Sequence, residues 1–139
     1  MGNLCWKGQS VTVDKPWGSE QVFTAPWRAQ GKVIYISKNQ RTSLKSYARK
    51  DELLLCLSGK VVLECLGNSE NPDAREGNSG FFVLNPGDQM CIFHQTPYRL
   101  LAQEDSVIIE TNFGGSGNAE ITFYEDDYNR FISPVEIKQ

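Results

Sequence analysis

Short strand-like segments separated by turn residues run along most of this chain, and they limit the folds open to it. Eight segments are rich in β-branched or aromatic residues and are bounded by Gly, Pro, Asn or Asp: 33–36, 52–57, 60–66, 81–84, 89–93, 98–102, 106–110 and 121–124. No stretch of ten or more residues shows the apolar period of an amphipathic helix. The pattern therefore predicts an all-β antiparallel fold, either a sandwich or a barrel.

Two tetrapeptides are the clearest turns. In Asn85-Pro-Gly-Asp88, proline presets φ at the second turn position and glycine accepts a positive φ at the third. Leu57-Ser-Gly-Lys60 is the other, and its spacing predicts a hairpin between the flanking segments. The polar stretch 67–80 has few apolar residues, so we expect an exposed loop that joins two halves of the fold.

The cysteines are too few and too scattered for a disulfide scaffold or a CxxC zinc site. They are Cys5, Cys56, Cys65 and Cys91. A hairpin at 57–60 would pair Cys56 with about Val61 and leave Cys65 on the order of 13 Å further along the partner strand. That separation exceeds disulfide reach, so we expect reduced, buried thiols.

Length and charge narrow the classes of function. The chain has 139 residues and a mass of 15.6 kDa, which predicts one domain with a single core. Fourteen basic and seventeen acidic residues give a net charge of −3 without a long run of one sign, so nucleic acid and anionic membranes are not expected partners. No segment approaches the ~20 apolar residues of a membrane span, and we expect a cytoplasmic protein.

Two blocks of residues keep a fixed spacing. The first block is Asn39, Lys45, Tyr47, Glu52 and Gly59, and the second is Gly87, Phe93, Gln95, Tyr98 and Ala102. This spacing resembles, position for position, the two motifs of the cupin superfamily, G-x5-H-x-H-x4-E-x6-G and G-x5-P-x-G-x2-H-x3-N. The resemblance implies an antiparallel jelly-roll β-barrel whose open mouth holds a divalent metal.

Further segments are similar to the type II mannose-6-phosphate isomerase family. They are residues 15–18, 43–44, 85–88, 96–99, 110 and 125–130. In that family the barrel stands alone or follows a nucleotidyltransferase domain, and it binds a sugar phosphate. The resemblance divides the chain into an N-terminal extension at 1–14, a cupin barrel at 15–130 and a C-terminal tail at 131–139.

The chain departs from the family at the metal ligands. Of the four positions that the motifs give to ligands, Glu52 alone keeps its residue type, while Lys45, Tyr47 and Tyr98 replace the others. A divalent ion of this class prefers neutral imidazole and carboxylate to an ammonium group or a protonated phenol. The sequence therefore predicts no metal and no cofactor. In a purely structural alternative, Lys45 pairs with Glu52 and the tyrosine rings fill the former cavity.

A working site would still suit a sugar. We predict four residues to be catalytic, because we expect all their side chains to point into the barrel interior: Tyr47, Glu52, Tyr98 and Lys45. A tyrosine hydroxyl beside an ammonium group can transfer protons at a carbon next to a carbonyl, and its ring can stack on a pyranose. The residues that we predict to bind substrate are cations and the single histidine: Arg41, Lys45, Arg99 and His94. Such cations suit a phosphate or a carboxylate, and metal-free relatives use a histidine base held by an aspartate.

Three functions remain open at this point. The first is a metal-free barrel that binds a sugar or sugar phosphate and, if it is an enzyme, isomerises or epimerises a sugar phosphate or nucleotide sugar. The second is a structural or regulatory barrel that forms a homodimer or binds a protein partner. The third is a metal-dependent sugar-phosphate isomerase with substitute ligands.

Overall fold

Eleven β-strands and no α-helix make up the part of the chain that the computed structural model describes, residues 5–25, 30–66, 80–113 and 121–129. In chain order they are β1 (Val11–Lys15), β2 (Gly18–Thr24), β3 (Gln30–Ile36), β4 (Leu44–Tyr47), β5 (Asp51–Ser58), β6 (Val61–Cys65), β7 (Gly80–Leu84), β8 (Gln89–Ile92), β9 (Tyr98–Ala102), β10 (Ser106–Phe113) and β11 (Ile121–Glu125). A search of these residues for a helix long and apolar enough to cross a membrane found none.

The strands form two antiparallel sheets. One sheet has six strands in the order β1-β2-β3-β10-β5-β8, and the other has five in the order β11-β4-β9-β6-β7. Chain neighbours such as β5 and β6 belong to different sheets, so the chain crosses repeatedly between the layers. This arrangement confirms the predicted antiparallel jelly-roll barrel.

Alternation along β5 shows how the sequence forms the core. Leu54 and Cys56 are fully buried, whereas Leu53 and Leu55 between them are partly exposed. Successive side chains of a strand point to opposite faces, so the even-numbered residues of β5 face the interior. Glu52 is in phase with them and therefore enters the barrel.

All eight predicted segments are strands, and three further strands were not predicted. These are β1, β2 and β4. β1 begins at Val11, inside the expected extension 1–14, and most of its residues are exposed. β4 is only four residues long and carries two polar side chains. Short or polar strands lack the apolar alternation on which the prediction relied. The predicted loop 67–80, except Gly80, and the predicted tail 131–139 lie outside the described residues.

The predicted hairpin at 57–60 is wrong. β5 pairs with β10 and β8, whereas β6 pairs with β7 and β9, so the turn carries the chain from one sheet to the other. Cys56 and Cys65 therefore lie in different sheets, and both are free and buried. Cys5 and Cys91 are also free, but they are exposed, so the expectation of burial fails for these two.

The backbone keeps the conformation of the motifs even where their glycines are replaced. φ is positive at all four glycine positions of the two motifs: Asn39 (67°), Gly59 (85°), Gly87 (93°) and Gln95 (65°). Glycine adopts this left-handed region without strain, and asparagine does so more readily than most other residues. The motif spacing therefore reflects four fixed backbone turns rather than a chance match.

Two of these glycines provide a matched test of the fold. A Cβ at Gly59 would lie 2.2 Å from Ser106 Oγ and 2.5 Å from the Asp105 carbonyl oxygen, whereas a Cβ at Gly87 would meet nothing within 4 Å. We expect Gly87→Ala to cost about 1–2 kcal/mol of stability from backbone strain alone. Gly59→Ala should cost at least about 1 kcal/mol more because of the clash. Urea denaturation of both variants measures the difference, and equal losses would contradict the contact.

Candidate functional site

β4 and β9 bring the first three candidate residues together. Lys45 and Tyr47 are two positions apart on β4 and share one face, while Ser46 between them bonds Tyr124 on the other face (Oγ to Oη, 2.9 Å). Lys45 lies opposite Tyr98 in the register of β4 and β9. Its ammonium nitrogen is 4.9 Å from the centroid of the Tyr98 ring, which is cation–π distance.

Glu52 completes the group with a partner that sequence reasoning missed. Its side chain is 1% exposed, and Lys50 Nζ lies 3.4 Å from its Oε1 atom. Lys50 is 2% exposed and also lies 4.0 Å from the centroid of the Tyr47 ring. The structural alternative named Lys45 as the partner of Glu52, but the ion pair is formed by Lys50 instead.

Three more charged residues lie in the same interior. Glu110 of β10 is buried, and the hydroxyl of Tyr98 lies 3.5 Å from its Oε1 atom. Glu20 of β2 lies 3.5 Å from the ammonium nitrogen of Lys32 on β3. Sequence reasoning named none of the three as a site residue, although position 110 was among those that resemble the isomerase family. A signal was present for Lys32, which is in phase with the buried Ile34. A charged residue at an apolar position of a strand marks an interior polar site.

Burial raises the pKa of Glu52 to about 8. The negative charge of Glu110 acts in the same direction, while the ammonium groups of Lys50 and Lys45 partly oppose it. Loss of water disfavours the charged form of any carboxyl, and a second carboxylate disfavours it further. At neutral pH Glu52 is therefore largely protonated and can both donate and accept a proton.

The tyrosines and Lys45 are shifted by the same cause. Burial, followed by the charge of Glu110, raises the pKa of Tyr47 and of Tyr98 well above the ordinary value. Both hydroxyls consequently stay protonated at neutral pH. Burial also lowers the pKa of the Lys45 amine; the charge of Glu110 opposes this shift and that of Lys32 adds to it. The barrel wall encloses this side chain, yet part of its surface remains accessible.

This donor set does not fit a divalent metal of the family type. The described residues contain no group of three or more His, Cys, Asp and Glu that could hold an ion. Two of the three interior carboxyl groups, Glu52 and Glu110, lie among ammonium groups that compete with a cation for their oxygens. The expected absence of a metal stays a prediction.

Arg99 lies on the other side of the five-stranded sheet. It follows Tyr98 on β9, and adjacent residues of a strand point to opposite faces. Its guanidinium contacts Glu64 (Nε to Oε2, 3.1 Å) and also pairs with Glu125. The structure thus separates Arg99 from Lys45, so these two cations do not share a site.

Arg41 lies near the end of the same outer face. It forms a two-point ion pair with Asp127, and Tyr128 donates its hydroxyl to the Arg41 carbonyl (3.1 Å) and to Gln40 Oε1 (2.8 Å). Arg41 is therefore engaged in holding the chain that follows β11, and the structure does not bring it to the interior group.

His94 lies in the turn before β9 and is held by an aspartate. Its Nδ1 atom is 2.9 Å from Asp51 Oδ1, and its backbone amide donates to the same oxygen at 2.8 Å. Asp51 precedes Glu52 on β5, so its side chain points away from the face that carries Glu52. The structure thus provides a His–Asp pair at the strand ends, beside the interior group rather than in it.

Several solved structures share this fold. KdgF from Halomonas sp. has 18% identity with this chain and a TM-score of 0.61, with coverage of 76% of this chain and 89% of KdgF. CapF from Staphylococcus aureus, a capsular polysaccharide assembling protein, has 17% identity and a TM-score of 0.66. The match spans 86% of this chain but only 35% of CapF. A point variant of Streptomyces Pac13 with uridine has 12% identity and a TM-score of 0.66, with coverage of 84% of this chain and 86% of Pac13.

These neighbours are cupin-type barrels, and the chain has a cupin-type fold. No protein-family model and no curated protein matches the sequence. At such low identity the likeness concerns the fold alone, so the mannose-6-phosphate isomerase-like subtype stays a prediction.

The raised pKa of Glu52 predicts how stability depends on pH. The folded protein holds a proton on Glu52 up to about pH 8, whereas the unfolded chain releases it near the ordinary glutamate pKa of 4.5. Between these values the folded state binds the extra proton, so its stability falls as pH rises, by up to about 1.4 kcal/mol per pH unit. Glu52→Gln removes this titration. We expect the variant to gain stability relative to the parent from pH 5 to 8 in urea melts, and parallel curves would refute the shift.

Proposed function

We propose that the barrel interior binds a sugar or sugar phosphate without a metal and transfers protons at a carbon next to its carbonyl. The observation that carries this proposal is a group of buried interior atoms that form no hydrogen bond within the described part of the chain: both carboxylate oxygens of Glu52, Nζ of Lys50 and Oε2 of Glu110. Two of them, Lys50 Nζ and Glu52 Oε1, are in ion-pair contact at 3.4 Å, while Glu52 Oε2 and Glu110 Oε2 have neither kind of partner among the described residues. Native proteins satisfy nearly all buried polar groups, and exceptions cluster at functional sites. A polyhydroxylated ligand carries the donors and acceptors that such atoms need.

The residue types support the assignment of roles. Glu52 has a pKa of about 8 and suits general acid–base catalysis near neutral pH. Tyr98 stays protonated, and its hydroxyl, which donates to Glu110 Oε1 over a long 3.5 Å, can turn to donate to a developing enolate oxygen instead. Lys45 can stabilise the same negative charge or a substrate phosphate. The proposed activity is therefore that of a sugar isomerase or epimerase.

Two of the fold neighbours favour a carbohydrate-related ligand. CapF is a capsular polysaccharide assembling protein, and Pac13 is a nucleoside dehydratase that has been solved with uridine. Arg41 and Arg99 contribute nothing to the proposed site, because both lie on the other face of the sheet. His94, held by Asp51 beside the interior group, remains a candidate for contact with a larger ligand.

A ligand screen with matched variants tests this function. We expect a hexose phosphate, a free hexose or a nucleotide sugar to stabilise the protein by about 2.7 kcal/mol when present at a hundred times its dissociation constant. In D₂O the bound sugar should exchange hydrogen for deuterium at the carbon next to its carbonyl, which NMR detects. Glu52→Gln should slow this exchange by about 10²-fold or more.

Glu104→Gln is the control, because it makes the same chemical change at an exposed position. It should leave binding and exchange unchanged. Addition of a chelator should also leave sugar binding and hydrogen exchange unchanged. Loss of exchange on chelation would favour the metal-dependent sugar-phosphate isomerase instead. If no sugar stabilises the parent, the proposed ligand class is wrong.

One surface feature favours a second candidate, a barrel that pairs with another copy of itself. β7 lies at the edge of the five-stranded sheet, with β6 as its single neighbour within the described residues. Phe81 is 72% exposed on this strand, and Val83 on the same face is 49% exposed. An exposed apolar edge strand offers unpaired backbone groups to a second chain.

Light scattering at several concentrations tests this second candidate. If β7 forms the contact, the parent should be a dimer and Phe81→Glu should be a monomer, because a carboxylate at the edge opposes close pairing. Tyr35→Glu is the control, since Tyr35 is an exposed aromatic residue on the other sheet. A parent that stays monomeric, or a dimer that only the Tyr35 change disrupts, would reject the contact at β7.

A further inference from the structure

The lysines at or near the barrel interior differ in whether a carboxylate lies beside the ammonium nitrogen. Three of them have a carboxylate oxygen within 4 Å of the ammonium nitrogen: Lys15 at 3.8 Å, Lys32 at 3.5 Å and Lys50 at 3.4 Å. Lys45 is different, because it forms neither an ion pair nor a hydrogen bond with any described residue. Its contact is the face of the Tyr98 ring, at 4.9 Å.

An enclosed amine without a carboxylate partner loses its proton more easily than an ordinary lysine. Removal from water disfavours the ammonium form, and here the charge of Lys32 adds to that effect. Glu110, Glu20 and Glu52 oppose the shift through their charges, yet burial dominates and the pKa of Lys45 is lowered. A neutral amine is a nucleophile, and enzymes activate lysines in this way by desolvation and by a neighbouring cation.

We propose that Lys45 is a nucleophilic amine that forms an imine with the carbonyl group of an open-chain sugar bound in the barrel. This inference rests on the proposed function, because it takes the sugar ligand from there and adds a covalent step. Accessibility supports it: part of the Lys45 surface remains open, whereas Lys50 is buried and paired with Glu52.

The step balances with groups that the interior contains. The neutral amine of Lys45 attacks the carbonyl carbon, and a proton moves from nitrogen to oxygen to give a carbinolamine. The carboxyl group of Glu52 then protonates the carbinolamine hydroxyl, which leaves as water. The products are a protonated imine on Lys45, one water molecule and the carboxylate of Glu52. The positive imine acidifies the adjacent carbon, and the Glu52 carboxylate can accept its proton.

Reductive trapping tests the imine. The protein as it stands is incubated at pH 7 with glycolaldehyde, the smallest hydroxy aldehyde, and borohydride converts any imine into a stable secondary amine. Peptide mass spectrometry then gives a labelling rate for each lysine. We expect Lys45 to be labelled several-fold faster than the exposed Lys38, because its lowered pKa leaves a larger fraction of the amine neutral at pH 7.

The pH profile and two variants separate a reactive amine from mere access. Labelling of Lys45 should level off at a lower pH than labelling of Lys38, which an accessible but ordinary lysine would not do. Glu52→Gln keeps the amine but should slow imine formation, because the proton donor for water loss is gone. Lys45→Arg should abolish the fast label. The parent's peptide map decides the question even if that variant fails to fold.

Failure of the inference and failure of the proposed function give different results. If a hexose phosphate stabilises the protein but Lys45 is labelled no faster than Lys38, the imine is overturned and the sugar site stands. If Lys45 is labelled selectively but no sugar stabilises the protein, the amine is confirmed and the sugar ligand is rejected. Preferential labelling of Lys32 or Lys50 would also overturn the inference.

Discussion

Compensation of buried charge is the constraint on which this barrel depends. Its interior holds several charged residues that are almost fully enclosed, and an ion taken from water into a protein costs several kcal/mol unless it is paired or neutralised. The structure uses both solutions. Lys32 is paired with Glu20. Glu52 is protonated for most of the time at neutral pH, because its pKa is raised to about 8, and when it ionises it has Lys50 as its partner. The strands must hold these partners in register for the fold to be stable.

The fold was predictable because its turns are local. Gly59 and Gly87 sit at positive φ in the places that the motif spacing assigns to glycine, and eight apolar strands lie between such turns. The sheet to which each strand belongs was not predictable, as the failed hairpin after Cys56 shows. A tight turn joins two strands of one sheet as readily as it carries the chain across a barrel corner, and long-range pairing decides between these outcomes.

The site was predictable only in part. Lys45, Tyr47, Glu52 and Tyr98 share one interior because strand alternation carries them there. The same alternation places Arg99 on the opposite face from Tyr98, which a period of two already implied. Lys50 and Glu110 were missed for a different reason. Lys50 lies just before β5, where strand phase gives no guidance, and Glu110 meets Tyr98 through three-dimensional contact rather than sequence spacing.

The residues at the motif's ligand positions set the electrostatics around Glu52. A divalent metal would bring two positive charges to a carboxylate at the position of Glu52, whereas here the nearest cation is Lys50, 3.4 Å from Glu52 Oε1, and the pKa of Lys45 is lowered by burial. The barrel can therefore keep Glu52 at a position where an isolated carboxylate would be costly. An amine in place of a metal also changes the chemistry. A metal polarises a carbonyl group without a covalent bond to its carbon, whereas the nucleophilic Lys45 amine that we propose bonds to that carbon. Imidazoles placed at 45, 47 and 98 would still leave Lys50 3.4 Å from Glu52, where it competes with any cation for the carboxylate.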